Sequence, residues 1–563
     1  MKKYGLICLL FFIIVNTIFA KPEIMLIKDI KPGMIGYGLS VFKGNKIERF
    51  NVEVITILEK FLPDQDIILI RCRPAFGQFD INSSGIIAGM SGSPIFIEGK
   101  LIGALAYGWI NTKDSLAGVT PIKNMIEITK IPLTNKLGCR IENKEDDNII
   151  KPLKTPLMIT NSSLYILKKY RNYFSKYGLM PIQGGAQSNS NNNDILQPGS
   201  PIGAQLMNGD MDITAMGTVT WVDKDKVLGF GHPFLNSGEF NMPVTTGRIA
   251  TVIRSSRMSS KLGIPGKVVG TLYQDRTTGI YAKLGSICQM IPIKIKLKNN
   301  TTKLGKTFNV KVIRHPVFTK LLANFAVNNF IETQEPMLNE NTVIYNTRVF
   351  LKNIKKPIEW SDMESNSLSI KGNFLAPILY LYNNPFKIPD IEKIIIDITI
   401  VPKLNIAKIV SLKLSRQKLK VGKNIEIEVG LKVQYGKKES IQIKLPVPKN
   451  ISPGNYNIKV SGGKLYRPDL FESKNYQDYI SNIKKLNNYR NNHIVALFEL
   501  PELEVLYKGK KLSNLPKSVI GNLLPTNQNS NIQLKQKLCI TAHQTPYEIT
   551  GISNIFVNIQ DEN

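Results

Sequence analysis

Residues 85–109, GIIAGMSGSPIFIEGKLIGALAYGW, decide how this sequence is read. Two apolar runs, IFI and KLIGALAYG, flank Glu98-Gly99, and that pattern spells two buried strands joined by a tight turn. Just ahead, Gly89 and Gly92 bracket Met90 and Ser91, so the backbone can bend sharply enough to present the Ser91 hydroxyl beside free amides. Such a bend has two readings. Gly-Ser-Gly is ordinary turn chemistry, but it also suits a nucleophile whose neighbouring N–H groups, here those of Gly89 and Ser91, face a developing oxyanion. Ser93, also flanked by glycine, is the competing nucleophile.

Working outward, residues 36–58, GYGLSVFKGNKIERFNVEVITIL, alternate apolar and polar positions around Lys43-Gly44-Asn45, a hairpin signal. DIILIRCR, from Asp66 to Arg73, is a further strand. Residues 21–135 therefore read as a compact run of antiparallel strands that bears the serine. In 136–197, Ser162 to Leu179 has a capping serine, helically spaced apolar residues and a late glycine, so it predicts a helix. Gly184 to Asp194 is too rich in Asn and Ser to build a core and predicts a linker. Strand patterns resume at MDITAMGTVTWV and KVLGFGHPFL and run through RIATVI, KVVGTLYQD and IPIKIKLK, a second β segment over 198–300 that contains His232. A β-rich region over 301–400, an immunoglobulin-like sandwich segment over 401–465, and a mixed region over 466–563 with one helix near 473–489 and an irregular tail complete the chain.

Composition sets the outer bounds. A chain of 563 residues with 43% apolar and 21% charged residues is folded, not disordered, and its length suits roughly three to five domains. The formal charge is +30, yet the lysines are scattered and no basic patch interleaved with aromatics stands out. That pattern argues against a specific nucleic-acid partner and leaves a salt-sensitive attraction to an acidic envelope surface. Lys2 and Lys3, the apolar run Leu6 to Val15 and the small residue Ala20 match a secretory signal over residues 1–20, so the mature chain is expected to be exported. Cys72, Cys139, Cys288 and Cys539 are widely spaced with no C-x-x-C pair, so neither a metal nor a redox cofactor is expected, and disulfide pairings stay open.

The flanks of the serine turn carry a resemblance. GMSGSPIFIEGKLIGALAYG resembles the nucleophile hairpin of trypsin-like peptidases, and GIIAGMSGSPIFIEGKLIGA is similar to the SpoIVB peptidase family of serine endopeptidases. GTVTWVDKDKVLGFGHPF, residues 217–234, resembles that family's histidine segment, and GTLYQDRTTGIYAKLG, residues 270–285, a segment downstream of it. The resemblance implies a trypsin-like double β-barrel with Ser91 as nucleophile and His232 as general base, acting on a peptide or protein, with self-processing plausible. Ala106, Tyr107 and Gly108 would pair with an extended substrate as an edge strand. Gly85, six residues before Ser91, carries no charge, which points to a small or apolar residue at the cleaved position.

Two departures follow. The serine half precedes the histidine half, a swapped order relative to the family. No carboxylate stands in Ile70-Arg71-Cys72-Arg73-Pro74, where the family's acid is expected. Asp80 and Asp275 are the nearest candidates, and neither carries over by motif. A non-catalytic envelope scaffold that keeps the barrel, and a basic polymer-binding surface protein, are the rival classes. They differ from a peptidase in whether Ser91 is chemically activated.

Overall fold

The computed structural model describes residues 22–560 except 64, 110–111, 113, 134–149, 186–194, 301–304, 335–339, 366–372, 417, 450, 467–472, 488, 508–509, 513–514, 517 and 520–531. The expected signal peptide over residues 1–20, Cys139 and most of the expected linker lie outside the described residues.

The strands that the patterning predicts close into a first barrel. Strand β1 (Ile35–Val41) turns at Gly44, φ +65°, into β2 (Ile47–Leu62), in a register running from Ile35 opposite Glu53 to Val41 opposite Ile47. Then β3 (Gln65–Pro74), the short α1 (Ile81–Ser84), β4 (Pro94–Ile97), β5 (Lys100–Gly108) and β6 (Leu116–Pro121) follow. The order β1-β2-β3-β6-β5-β4 returns to β1, closing a six-stranded ring. Phe50, Val52, Ile70, Ile95, Leu105 and Val119 fill it, each contributing about 1.5–3 kcal/mol of burial. All of β4 is buried, because one face meets this core and the other meets the second barrel.

After β6 come α2 (Ile122–Glu127), β7 (Lys151–Pro152), β8 (Thr155–Ile159), α3 (Leu164–Ser175) and β9 (Leu179–Gln183), which connect the two barrels. Ser163 caps α3 through its hydroxyl, which accepts the Ile166 N–H at 3.1 Å. The second barrel consists of β10 (Pro201–Gly209), β11 (Ile213–Asp223), β12 (Lys226–Gly229), β13 (Gly238–Ile253), β14 (Ser260–Arg276) and β15 (Gly279–Leu284). The ring β10-β13-β14-β15-β12-β11 closes through β11 pairing with β10.

Beyond 300 the sheet does not stop. Strand β10 also pairs with β17 (Gly305–Val312), which continues through β16 (Ile291–Asn299), β20 (Ile391–Val401), β18 (Thr342–Leu351) and β19 (Ile358–Ser365), while β8 and β9 extend the opposite edge. The expected boundary at 300 falls inside this sheet, because IPIKIKLK buries Ile291, Ile293, Ile295 and Leu297 in the core shared with the second barrel. A 17-residue helix, α4 (Phe318–Gln334), is buried against it, Phe330 stacking on Phe308 at 4.0 Å between ring centres. The C-terminal sandwich is larger than 401–465. Strands at Ile406–Leu414, Asn424–Val433 and Lys438–Pro446 face a sheet built from Gly454–Gly462, His493–Tyr507, Ile532–Gln544 and Ile552–Gln560, and one core joins them. The expected irregular tail is therefore strand. Among the described residues Cys72 and Cys288 are free thiols.

Candidate active site

The serine turn is set by two glycines in the left-handed region, Gly89 at φ +99° and Gly92 at φ +95°. Its bonds run inward: Met90 N–H to Ile87 O at 3.0 Å, Ser93 N–H to Met90 O at 2.8 Å, and Gly92 N–H to Leu105 O at 2.8 Å. The Gly89 and Ser91 amides reach no acceptor among the described residues, so both can donate to an incoming substrate oxygen.

The second barrel clamps this turn. Thr218 donates its N–H to Ser91 O at 2.8 Å and its hydroxyl to Gly89 O at 2.9 Å, and the Thr220 hydroxyl donates to Gly92 O at 2.8 Å. From β14, Lys261 N–H donates to Ala88 O at 3.0 Å, while Ala88 N–H donates to Ser259 O at 2.9 Å.

His232 follows β12 through a sharp bend, in which Gly231 N–H bonds Gly229 O at 2.8 Å around Phe230 at φ +65°. A non-glycine residue there is strained, and such strain persists only where the surroundings enforce it. The bend brings His232 Nε2 to 2.8 Å from Ser91 Oγ, across 141 residues of sequence. His232 Nδ1 lies 2.8 Å from Pro233 O. A carbonyl only accepts, so Nδ1 carries the proton and Nε2 keeps its lone pair toward the serine. Burial holds the imidazole neutral, pushing its pKa down to about 4 against a smaller upward pull from Pro233 O.

The other candidates fall elsewhere. Ser93 Oγ points away from the histidine and donates to Ser40 Oγ at 3.0 Å. Asp80 caps α1, accepting the Asn82 N–H at 3.1 Å. Asp275 does not bond the imidazole. Its buried carboxylate instead accepts N–H groups from Phe234 at 2.8 Å, Leu235 at 2.7 Å and Ser237 at 3.1 Å, fixing the loop that carries His232. Burial raises its carboxyl to about 6 against these three bonds, so at neutral pH it is the carboxylate its donors require. Asp275→Ala leaves three buried amides unpaired and should destabilise the fold by about 2–4 kcal/mol, while slowing reaction at Ser91 through a displaced imidazole. Thermal unfolding and the rate of serine labelling read the two effects separately.

Sequence reasoning missed Lys261. Its stem packs along the serine turn, so that a Cβ on Gly89 would lie 3.2 Å from the Lys261 Cβ and Cδ. Its Nζ donates to Ser40 Oγ at 2.7 Å and sits 5.5 Å from the Phe42 ring centre. No carboxylate lies within ion-pair distance of it among the described residues, and burial pushes its pKa down to about 7. Between that value and the ordinary 10.5 the unfolded chain binds the extra proton. Stability should therefore rise from pH 7 to 9, and Lys261→Met should remove that rise; chemical denaturation at both pH values checks it. No sequence signal marked Lys261, because its burial depends on packing between the barrels.

The edge Ala106–Gly108 is not open, contrary to expectation. The chain's own β7 pairs with it, Pro152 opposite Tyr107 and Lys151 opposite Gly108, and Leu153 N–H donates to Ala106 O at 2.9 Å. A cleft of about 1050 Å³ runs past this segment and His232 between the barrels.

Comparison with curated proteins and with solved structures gives no match. His232 lies outside the part of the chain that a known family covers. Residues 5–126, which hold the serine turn and every strand of the first barrel, match the SpoIVB peptidase S55 family.

Proposed function

We propose that this protein is an exported serine endopeptidase in which Ser91 is the nucleophile and His232 the general base. The observation that carries the reading is the 2.8 Å contact between Ser91 Oγ and a histidine nitrogen whose tautomer is fixed from its other side. Ser91 Oγ attacks the peptide carbonyl as His232 Nε2 takes its proton. The oxygen of the tetrahedral intermediate is met by the Gly89 and Ser91 N–H groups. Collapse breaks the C–N bond, His232 returns the proton to the departing amine, and water then hydrolyses the acyl ester by the same route. Pro233 O stands where other serine peptidases place a carboxylate. It orients the imidazole without stabilising its charge, so slow turnover is expected. Export is supported by the charged and apolar run of residues 2–20.

The test is a fluorophosphonate probe on the folded protein, with the adduct mapped by mass spectrometry. An adduct on Ser91 that disappears on heat unfolding supports the reading. No adduct on Ser91 in the folded protein or in folded variants with an opened site supports the non-catalytic scaffold instead.

A further inference from the structure

Resting on that peptidase reading, we propose that residues 150–154 are a built-in substrate mimic that fills the substrate strand, seats Leu153 in the primary specificity pocket and closes the site. The peptides it mimics carry an aliphatic residue before the bond presented to Ser91.

The register carries the argument. The segment runs antiparallel to β5, from Lys151 opposite Gly108 to Leu153 at Ala106, toward the catalytic side. Leu105 bonds the nucleophile turn through Gly92 N–H, and the Ala106 Cβ would lie 3.1 Å from a Cβ on Gly231, the residue before His232. The residue bonded to Ala106 O is thus the one delivered to the serine and histidine. In an antiparallel pair alternate residues turn their N–H groups to the neighbour. Lys151 and Leu153 do so here, while the intervening position needs no donor, which is why proline is tolerated at 152.

The side chains agree with this register. Leu153 Cδ2 lies 2.9 Å and Ile86 Cγ2 3.8 Å from the position a Cβ would take on Gly108, so the absent side chain of Gly108 makes room for leucine in an apolar pocket. Leu153 is 8% exposed, Ser91 0% and His232 2%, and Leu153 lines the same cleft as His232. Lys154 lines the same cleft as His232 before the chain enters β8, so the bond facing Ser91 is Leu153–Lys154. If it is cut, the Leu153 acyl group passes to Ser91 Oγ, Lys154 leaves as a free amine with the proton from His232, and water releases the Leu153 carboxylate.

The experiment compares fluorophosphonate labelling of Ser91 in the parent and in Leu153→Ala, with Pro152→Gly as a second way of loosening the segment and circular dichroism to confirm folding. Labelling at least five-fold faster in either folded variant, slowed by added Ile-Lys-Pro-Leu peptide and not by Ile-Lys-Pro-Asp, is the expected result. A parent cleaved after Leu153 in a Ser91-dependent manner would support it equally. Equal labelling rates in parent and variants overturn the mimic and leave the peptidase reading standing. Absence of labelling in all folded forms overturns both.

Discussion

His232→Ala should slow covalent reaction at Ser91 by about a thousandfold or more, as loss of a general base does in serine hydrolases. Ser91→Ala should abolish it, and the double variant should be no worse than Ser91→Ala, because the two groups act as one unit. The pH dependence adds a sharper expectation. The imidazole must be neutral to accept the serine proton, and burial holds its pKa at about 4. Labelling should therefore persist well below pH 6.5 and fall only as pH approaches that lower value. The same shift governs stability. Between about 4 and the ordinary 6.5 the unfolded chain binds the proton that the folded chain refuses, so stability present above that window is lost as pH falls through it. A rate profile with its acid limb near 6.5 would contradict the buried, neutral histidine.

Gly92→Ala should destabilise the fold strongly and disable the serine turn at once. A Cβ there would lie 2.0 Å from Thr218 O and 2.5 Å from Phe230 N, both backbone atoms of the second barrel, at a residue with φ +95°. Neither neighbour is the end of a flexible side chain, so the barrels must separate or the turn must unwind. Left-handed strain and overpacking each cost about 1–3 kcal/mol, and together they predict a loss of about 3–5 kcal/mol, with Ser91 drawn away from His232. Denaturant unfolding measures the first effect and fluorophosphonate labelling the second. Gly89→Ala, whose new Cβ would meet the Lys261 side chain first, at 3.2 Å, should cost less in stability. Gly99→Ala, with nothing within 4 Å and φ +74°, isolates the backbone penalty alone.

Much of the fold was legible because strands announce themselves locally. The alternation in GYGLSVFKGNKIERFNVEVITIL set β1 and β2 with their turn, and IFI and KLIGALAYG set β4 and β5, since period two and a glycine turn are properties of neighbouring residues. Helix α4 was not legible. FTKLLANFAVNNFIETQ is buried on nearly all sides, with Phe325, Asn328, Asn329 and Phe330 among its buried residues, so it has no polar face to set a helical period. The tail strand Ile532–Gln544 escaped for the opposite reason: from Leu534 on its side chains are half-buried at best, and its partner His493–Tyr507 lies far away in sequence.

The sequence by itself determined the serine turn and the barrel around it. Gly-x-Ser-Gly between strand patterns dictates a backbone bend, and a bend needs only the residues within it. His232 was legible as a histidine framed by glycine and proline after a strand. Its 2.8 Å contact with Ser91 is tertiary, made by Thr218, Thr220 and Lys261 clamping one barrel to the turn of the other. The orienting acceptor is a backbone carbonyl, which every residue possesses, so no residue type could have marked it. Asp275 could be named but not assigned, because a carboxylate bonds imidazole or amide according to which donor packing brings within its reach. The occupied substrate edge was likewise decided only by folding: a two-residue strand has no period of its own, and Lys151-Pro152 becomes one only where β5 leaves an edge for it.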